Sequence, residues 1–195
     1  MTTTAKQDLD LVTDRDFGVA LDPSTLRFER VLPGPVERVW SYLTQADKLA
    51  KWIATPKSDV RAGATVEFTW DHSKLSPHKE PTPERYKQYQ GETSRWRVTR
   101  FDPPRALSVI WDEGTESESE MTFELTPRGN EVVLVLTHER IPKTEAINET
   151  AGGWHTHLAI LSDNLAGRVP RPFWETHAAV QEEYARRYGQ NVSKR

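Results

Sequence analysis

Gly152-Gly153-Trp154-His155-Thr156-His157-Leu158-Ala159-Ile160-Leu161-Ser162-Asp163-Asn164-Leu165 reads as a helix with one apolar stripe. Trp154, Leu158, Leu161 and Leu165 recur at i, i+4, i+7 and i+11, which places them on one face at the helical period. The stretch follows a long run of strand-like sequence. A single late helix after several strands covers the open face of an antiparallel sheet, and a curved sheet gripping such a helix can leave a cavity between them. Gly167 suits the end of this helix, and Pro170 and Pro172 forbid its simple continuation.

Upstream of the helix, Leu26, Phe28, Arg30 and Leu32 alternate with Arg27, Glu29 and Val31, which predicts a first strand with one face partly buried. Pro33-Gly34-Pro35 stops it. Val36, Val39, Trp40 and Leu43 then fall at i, i+3, i+4 and i+7 and predict a short helix, followed by another carrying Leu49, Trp52 and Ile53. Val66, Phe68 and Trp70 share a face of the next strand. Residues 71–90 hold Pro77, Pro81 and Pro83, His72 and His78, and little apolar sequence, and read as a long loop or insertion. Strands are expected at Glu92 to Phe101, Ala106 to Trp111, Glu118 to Thr126 and Glu131 to Arg140. The breaks Asp102-Pro103-Pro104, Asp112-Glu113-Gly114 and Pro127-Arg128-Gly129-Asn130 are short turn sequences that favour antiparallel pairing. The result is an α+β chain with about six antiparallel strands around a long late helix. Beyond Pro172, Phe173, His177, Val180, Tyr184 and Tyr188 form a second stripe. That stripe must pack back on the domain, cover the cavity or join a second copy in a homodimer.

Composition narrows the function. The chain has 195 residues, enough for one domain with modest extensions, and 36% of them are hydrophobic. The formal net charge of −3 shows no basic footprint for nucleic acid. The absence of cysteine excludes disulfides and thiolate metal sites. No apolar run approaches the ~18 residues of a membrane span. Met1 to Asp10 lacks the apolar core of a signal peptide, so a cytoplasmic protein is expected. Seven tryptophans is a high count for this length, and most are expected to line a core or a pocket.

The strings Val39-Trp40-Ser41-Tyr42-Leu43-Thr44 and Leu49-Ala50-Lys51-Trp52 resemble the family of homologues of the heat-shock protein 90 ATPase activator. That family lies within the SRPBCC (START-like, polyketide-cyclase and birch-pollen-allergen-like) superfamily. Val60-Arg61-Ala62-Gly63-Ala64 is similar to the family's turn before a strand, Thr137-His138-Glu139 to its last-strand ending, and Gly153-Trp154 with Leu158, Leu161 and Gly167 to its final helix. The resemblance covers roughly Thr25 to Arg168 and implies a helix-grip fold. It divides the chain into an N-terminal extension (1–23), a helix-grip domain (24–168) and a C-terminal helical extension (169–195). Superfamily members bind lipids, hormones and polyketides, catalyse cyclisations or assist a chaperone, so fold alone does not select among these. Arg140, the long 71–90 segment and the helix after Pro172 depart from the family pattern.

The expected ligand is a small hydrophobic or aromatic molecule. Its walls would come from Trp40, Trp52, Phe68, Trp70, Trp96, Trp111, Met121, Phe123, Trp154, Leu158 and Leu161, the alternative for each being plain core packing. Helical geometry puts His157 about sixty degrees off the centre of the apolar stripe, with Asn164 on the same flank. His155 falls on the opposite flank, towards solvent or a loop. His138 points to the same side of its strand as Val132, Leu134 and Leu136. His157, His138 and Asn164 are therefore the candidate polar anchors. In an enzyme of the cyclase or hydrolase type His157 or His138 would be the base, with Glu67 or Arg97 nearby. In a co-chaperone role the surface would be the working part. The six histidines lack ligand spacing, so no metal and no cofactor is expected.

Overall fold

A computed structural model describes residues 17–142 and 147–188. The chain runs β1 (Val19–Asp22), β2 (Thr25–Pro33), α1 (Val36–Thr44), α2 (Ala46–Leu49), β3 (Thr55–Pro56), β4 (Thr65–Thr69), β5 (Thr93–Asp102), β6 (Ala106–Trp111), β7 (Ser119–Arg128), β8 (Glu131–Glu139), α3 (Ile147–Leu165) and α4 (Phe173–Tyr188). All the strands join one antiparallel sheet in the order β1-β2-β8-β7-β6-β5-β4-β3. The short turns expected between β5 and β8 produce this meander, and β2 then pairs with β8.

The sheet holds eight strands among the described residues, two more than expected. The first extra one, β1, lies in the segment read as an N-terminal extension. Its Val19 and Leu21 are more than half exposed, so no burial pattern marks it, and it is held by backbone pairing to β2. The second, β3, has only two residues, too few for any periodicity. Residues 1–16 of that extension lie outside the described residues. Within 71–90 the chain makes two 3-10 turns, His72–Lys74 and Glu84–Tyr89.

One side of the sheet carries the core. Leu26, Phe28 and Leu32 of β2, Trp96 and Val98 of β5, Met121, Phe123 and Leu125 of β7, and Val132, Leu134 and Leu136 of β8 are all buried at period two. α3 lies over them through Trp154, Leu158, Leu161 and Leu165. Yet α3 is buried on other faces as well, at His155, Thr156, Ile160 and Asp163. The cause is α4, which packs on it from outside and buries Phe173, Val180 and Tyr184. The second apolar stripe is thus covered within the chain. Tyr188 ends α4, and its side chain lies outside the described residues.

The same packing corrects the reading of His155. It is 2% exposed, beneath the Phe17 ring at 4.9 Å, with its Nδ1 3.3 Å from the Tyr184 hydroxyl. Its cover comes from residues that its own helix could not announce.

Asp163 ties the end of α3 to the segment that leads into α4. Its carboxylate accepts from Arg171 Nε at 2.7 Å and from Arg168 Nη2 at 2.9 Å, and the side chain is almost wholly buried. Burial alone would push its carboxyl up, but the two guanidinium groups offset this and hold it below the usual carboxylate range. Replacing Asp163 with Ala should cost about 3 kcal/mol, since it leaves the largely buried Arg171 guanidinium without its carboxylate. Urea unfolding at pH 7.5 measures this, and a loss below about 1 kcal/mol would show that the cluster is dispensable.

Candidate functional site

A cavity of about 390 Å³ opens between the sheet, the N-terminal half of α3 and the 71–90 insertion. Trp70 follows β4, Trp111 ends β6, His138 nears the end of β8, and Trp154 and His157 come from α3. Each lines the cavity. Trp70 and Trp111 are stacked, with centroids 5.4 Å apart and planes within 8°. His138 continues the stack on Trp111 at 6.1 Å, also within 8°. Trp154 closes one side edge-on to Trp111 at 6.4 Å. The wall is thus largely aromatic, as expected of a small-ligand pocket.

The other candidate residues lie elsewhere. Trp52, Phe68, Trp96, Phe123, Leu158 and Leu161 are fully enclosed in the core, as is Met121. Trp52 donates its indole N–H to the Tyr42 carbonyl at 2.8 Å. Trp40 sits on α1 edge-on to Phe101. Asn164 donates to the carbonyls of Lys51 and Ile160, so it fastens α3 to the chain after α2. Glu67 and Arg97 alternate with inward-facing neighbours and point to the opposite side of the sheet, where they pair with Lys57 and Glu113. They cannot assist a base in the cavity.

Sequence reasoning missed the contribution of the insertion. His72, Tyr86 and Tyr89 all line the cavity. The segment is docked on α4 by named contacts. Tyr86 stacks on Trp174 at 5.0 Å, and His72 lies 4.4 Å from Phe173. Glu80 accepts from the backbone N–H groups of Trp174 and Glu175 at 3.1 and 2.8 Å, which caps the start of α4 from outside. The segment reads only as a long loop or insertion, because nothing local names its docking partner. Exposed Glu92, Ser117 and Glu149 form the rim.

The histidines at the cavity and packed behind it are kept neutral. Burial pushes His138 down to about 4. It pushes His157 down to about 3, with His72 adding to the effect. Burial also takes His72 and His177 to about 4. His157 Nδ1 lies 2.8 Å from the Trp52 carbonyl oxygen, so this nitrogen carries the proton and donates. Among the described residues no group of three His, Asp or Glu side chains could hold a metal ion, and no helix is long and apolar enough to cross a membrane.

An antiparallel sheet closed over a long helix, with an aromatic cavity between them, defines a helix-grip protein. Residues 33–166 match the family of activator of Hsp90 ATPase homolog 1-like proteins, and the chain belongs to that family. The solution structure of the protein encoded by gene BPP1335 from Bordetella parapertussis is 44% identical, with a TM-score of 0.71 over 87% of this chain and 89% of that one. CalU16 from Micromonospora echinospora shares the fold at 24% identity and TM-score 0.59, over 83% of this chain and 86% of its own. The Aha1 dimer from Colwellia psychrerythraea shares it at 19% identity and TM-score 0.57, over 72% of this chain and 95% of its own. Among curated proteins, 82 residues are 37% identical to the tRNA 5-methylaminomethyl-2-thiouridine biosynthesis bifunctional protein MnmC of Burkholderia ambifaria. That match takes in 40% of this chain and spans 12% of the relative's length.

Proposed function

We propose that the chain is a cytoplasmic small-molecule-binding protein that holds a hydrophobic, aromatic ligand between sheet and α3. The aromatic cavity of about 390 Å³ carries this reading. Its volume falls within the range of small-ligand sites, and its stacked tryptophans offer flat apolar surface. The 24–168 unit supplies the walls from sheet and α3, and the 169–195 extension contributes α4 as the dock for the insertion. Catalysis by a cavity histidine is the weaker reading. A base held down to about 3 is far from the pKa that suits proton abstraction near neutral pH. A chaperone role has only the family's name behind it.

Native mass spectrometry of freshly purified protein tests the proposal. The expected result is an excess mass that disappears when the same sample is denatured. A clean apo mass, together with unchanged tryptophan fluorescence on adding 9-fluorenone, would remove the ligand-binding reading.

A further inference from the structure

Two adjacent glycines, Gly152 and Gly153, stand well inside α3. An interior glycine weakens a helix relative to alanine, because its backbone has more freedom to lose. Neither of the two has a positive φ that would require glycine. Gly152 has a packing reason. A Cβ there would stand 2.8 Å from Cδ of Gln181 on α4, whose Nε2 donates to the Glu149 carbonyl at 3.1 Å. Gly153 has no such reason, since a Cβ at this position would meet no atom of the described residues within 4 Å.

The space beside Gly153 is the cavity. Glu149, Thr150, Gly153, Trp154 and His157 line it from α3, a spacing that puts all five on one face of the helix. Helical geometry points the missing side chain of Gly153 between those of Glu149 and His157. Burial rises along this face, from exposed Glu149 at the rim, through half-buried Gly153, to buried His157. Gly153 therefore stands about one turn inside the mouth, where any side chain would project into space that a ligand must occupy.

We infer that Gly153 sets how large a ring system the cavity accepts, because the edge of the ligand lies against the bare α3 backbone at this position. This rests on the aromatic-ligand reading above and adds the residue that limits ligand size. The helix gives up propensity at Gly153 with no return in packing, and the open volume of the cavity is what the glycine preserves.

The probes 9-fluorenone and 1-indanone test it on the full chain, since both are ketones and they differ by one fused ring. Binding is followed at pH 7.5 through the indole N–H resonances of Trp70 and Trp111 in proton–nitrogen spectra. Gly153→Leu keeps a good helix former and fills the seat, so the ratio of fluorenone to indanone affinity should fall at least about tenfold. Indanone loses less because the smaller ring system can move away from the new side chain. A purely structural role for the glycine would weaken both probes together. Gly153→Ala should raise the urea midpoint by about 0.5 M, because alanine favours the helix and meets no neighbour. A midpoint that does not rise overturns the inference, since packing would then oppose the side chain. An unchanged affinity ratio in Gly153→Leu also overturns it and leaves the aromatic reading standing, whereas binding of neither probe to the natural chain overturns both. Should Gly153→Leu fail to fold, Gly153→Ala carries the binding test. A ratio reduced about threefold then supports the inference, and an unchanged ratio overturns it.

Discussion

Lowering the pH from 7.5 to 5 should remove at least about 4 kcal/mol of the folding stability, before most carboxylates titrate. The cause is a set of four histidines buried in neutral form. His138 and His177 are pushed down to about 4, and His155 and His157 to about 3, chiefly by burial. Their positions explain why protonation is resisted. His155 lies near Arg30, Arg171 and Arg187, His157 near His72, and His177 near His157 and Arg85. His155, His157 and His177 would each add positive charge to a buried site already facing cations or other imidazoles, and for His138 burial alone opposes the charge.

The direction follows from proton counts. Above about pH 6.5 these side chains are neutral in both states and contribute nothing to the difference. Below it the unfolded chain binds protons that the folded chain refuses, so stability falls as pH falls towards the folded values. At pH 5 each histidine favours unfolding by about 2 kcal/mol, and the full set would reach about 8. Water entry and local adjustment should relieve part of this, and half the sum still rivals a domain's total stability of about 5–15 kcal/mol. Urea midpoints at pH 7.5, 6.5, 5.5 and 5 measure the slope. A midpoint unchanged down to pH 5 would mean that the histidines are not buried as described.

The fold was legible where a local pattern met a single partner surface. The stripe Trp154, Leu158, Leu161 and Leu165 sets α3 on the sheet. The alternation in β8 puts His138 on the side of Val132, Leu134 and Leu136, and that is the side on which it lies. Legibility ended where a second layer intervened. His155 looked peripheral because its own helix shows one apolar face, whereas Phe17 and α4 bury the other. β1 carries no alternating buried face, since Val19 and Leu21 are exposed and the strand is held by backbone pairing to β2. Tyr86 and His72 sit in a segment without periodicity, and their position depends on Trp174, Phe173 and the cap from Glu80, all distant in sequence. The tryptophans posed a different problem. Trp52 and Trp111 are equally apolar in pattern, and what separates them is whether the space opposite is filled.

That difference should appear as a split between two alanine variants. Trp52→Ala should cost about 3–5 kcal/mol, because its indole is fully enclosed and leaves a void that its neighbours cannot close. The main-chain carbonyl that accepts from His157 remains in this variant, so the loss is one of packing. Trp111→Ala should cost only about 1–2 kcal/mol, because one side of its ring already borders open space and has fewer contacts to lose. Its effect should fall on binding instead, with affinity for an aromatic probe reduced by about tenfold or more as the stacked surface between Trp70 and His138 disappears. Urea unfolding and fluorenone titration of both variants make the comparison. Equal losses of stability would show Trp111 to be core, and the space beside it would then be a packing gap with no ligand to hold. A cavity maintained for binding requires the two measurements to separate, because only an occupant absent from the free protein could account for a wall residue that matters more to affinity than to folding.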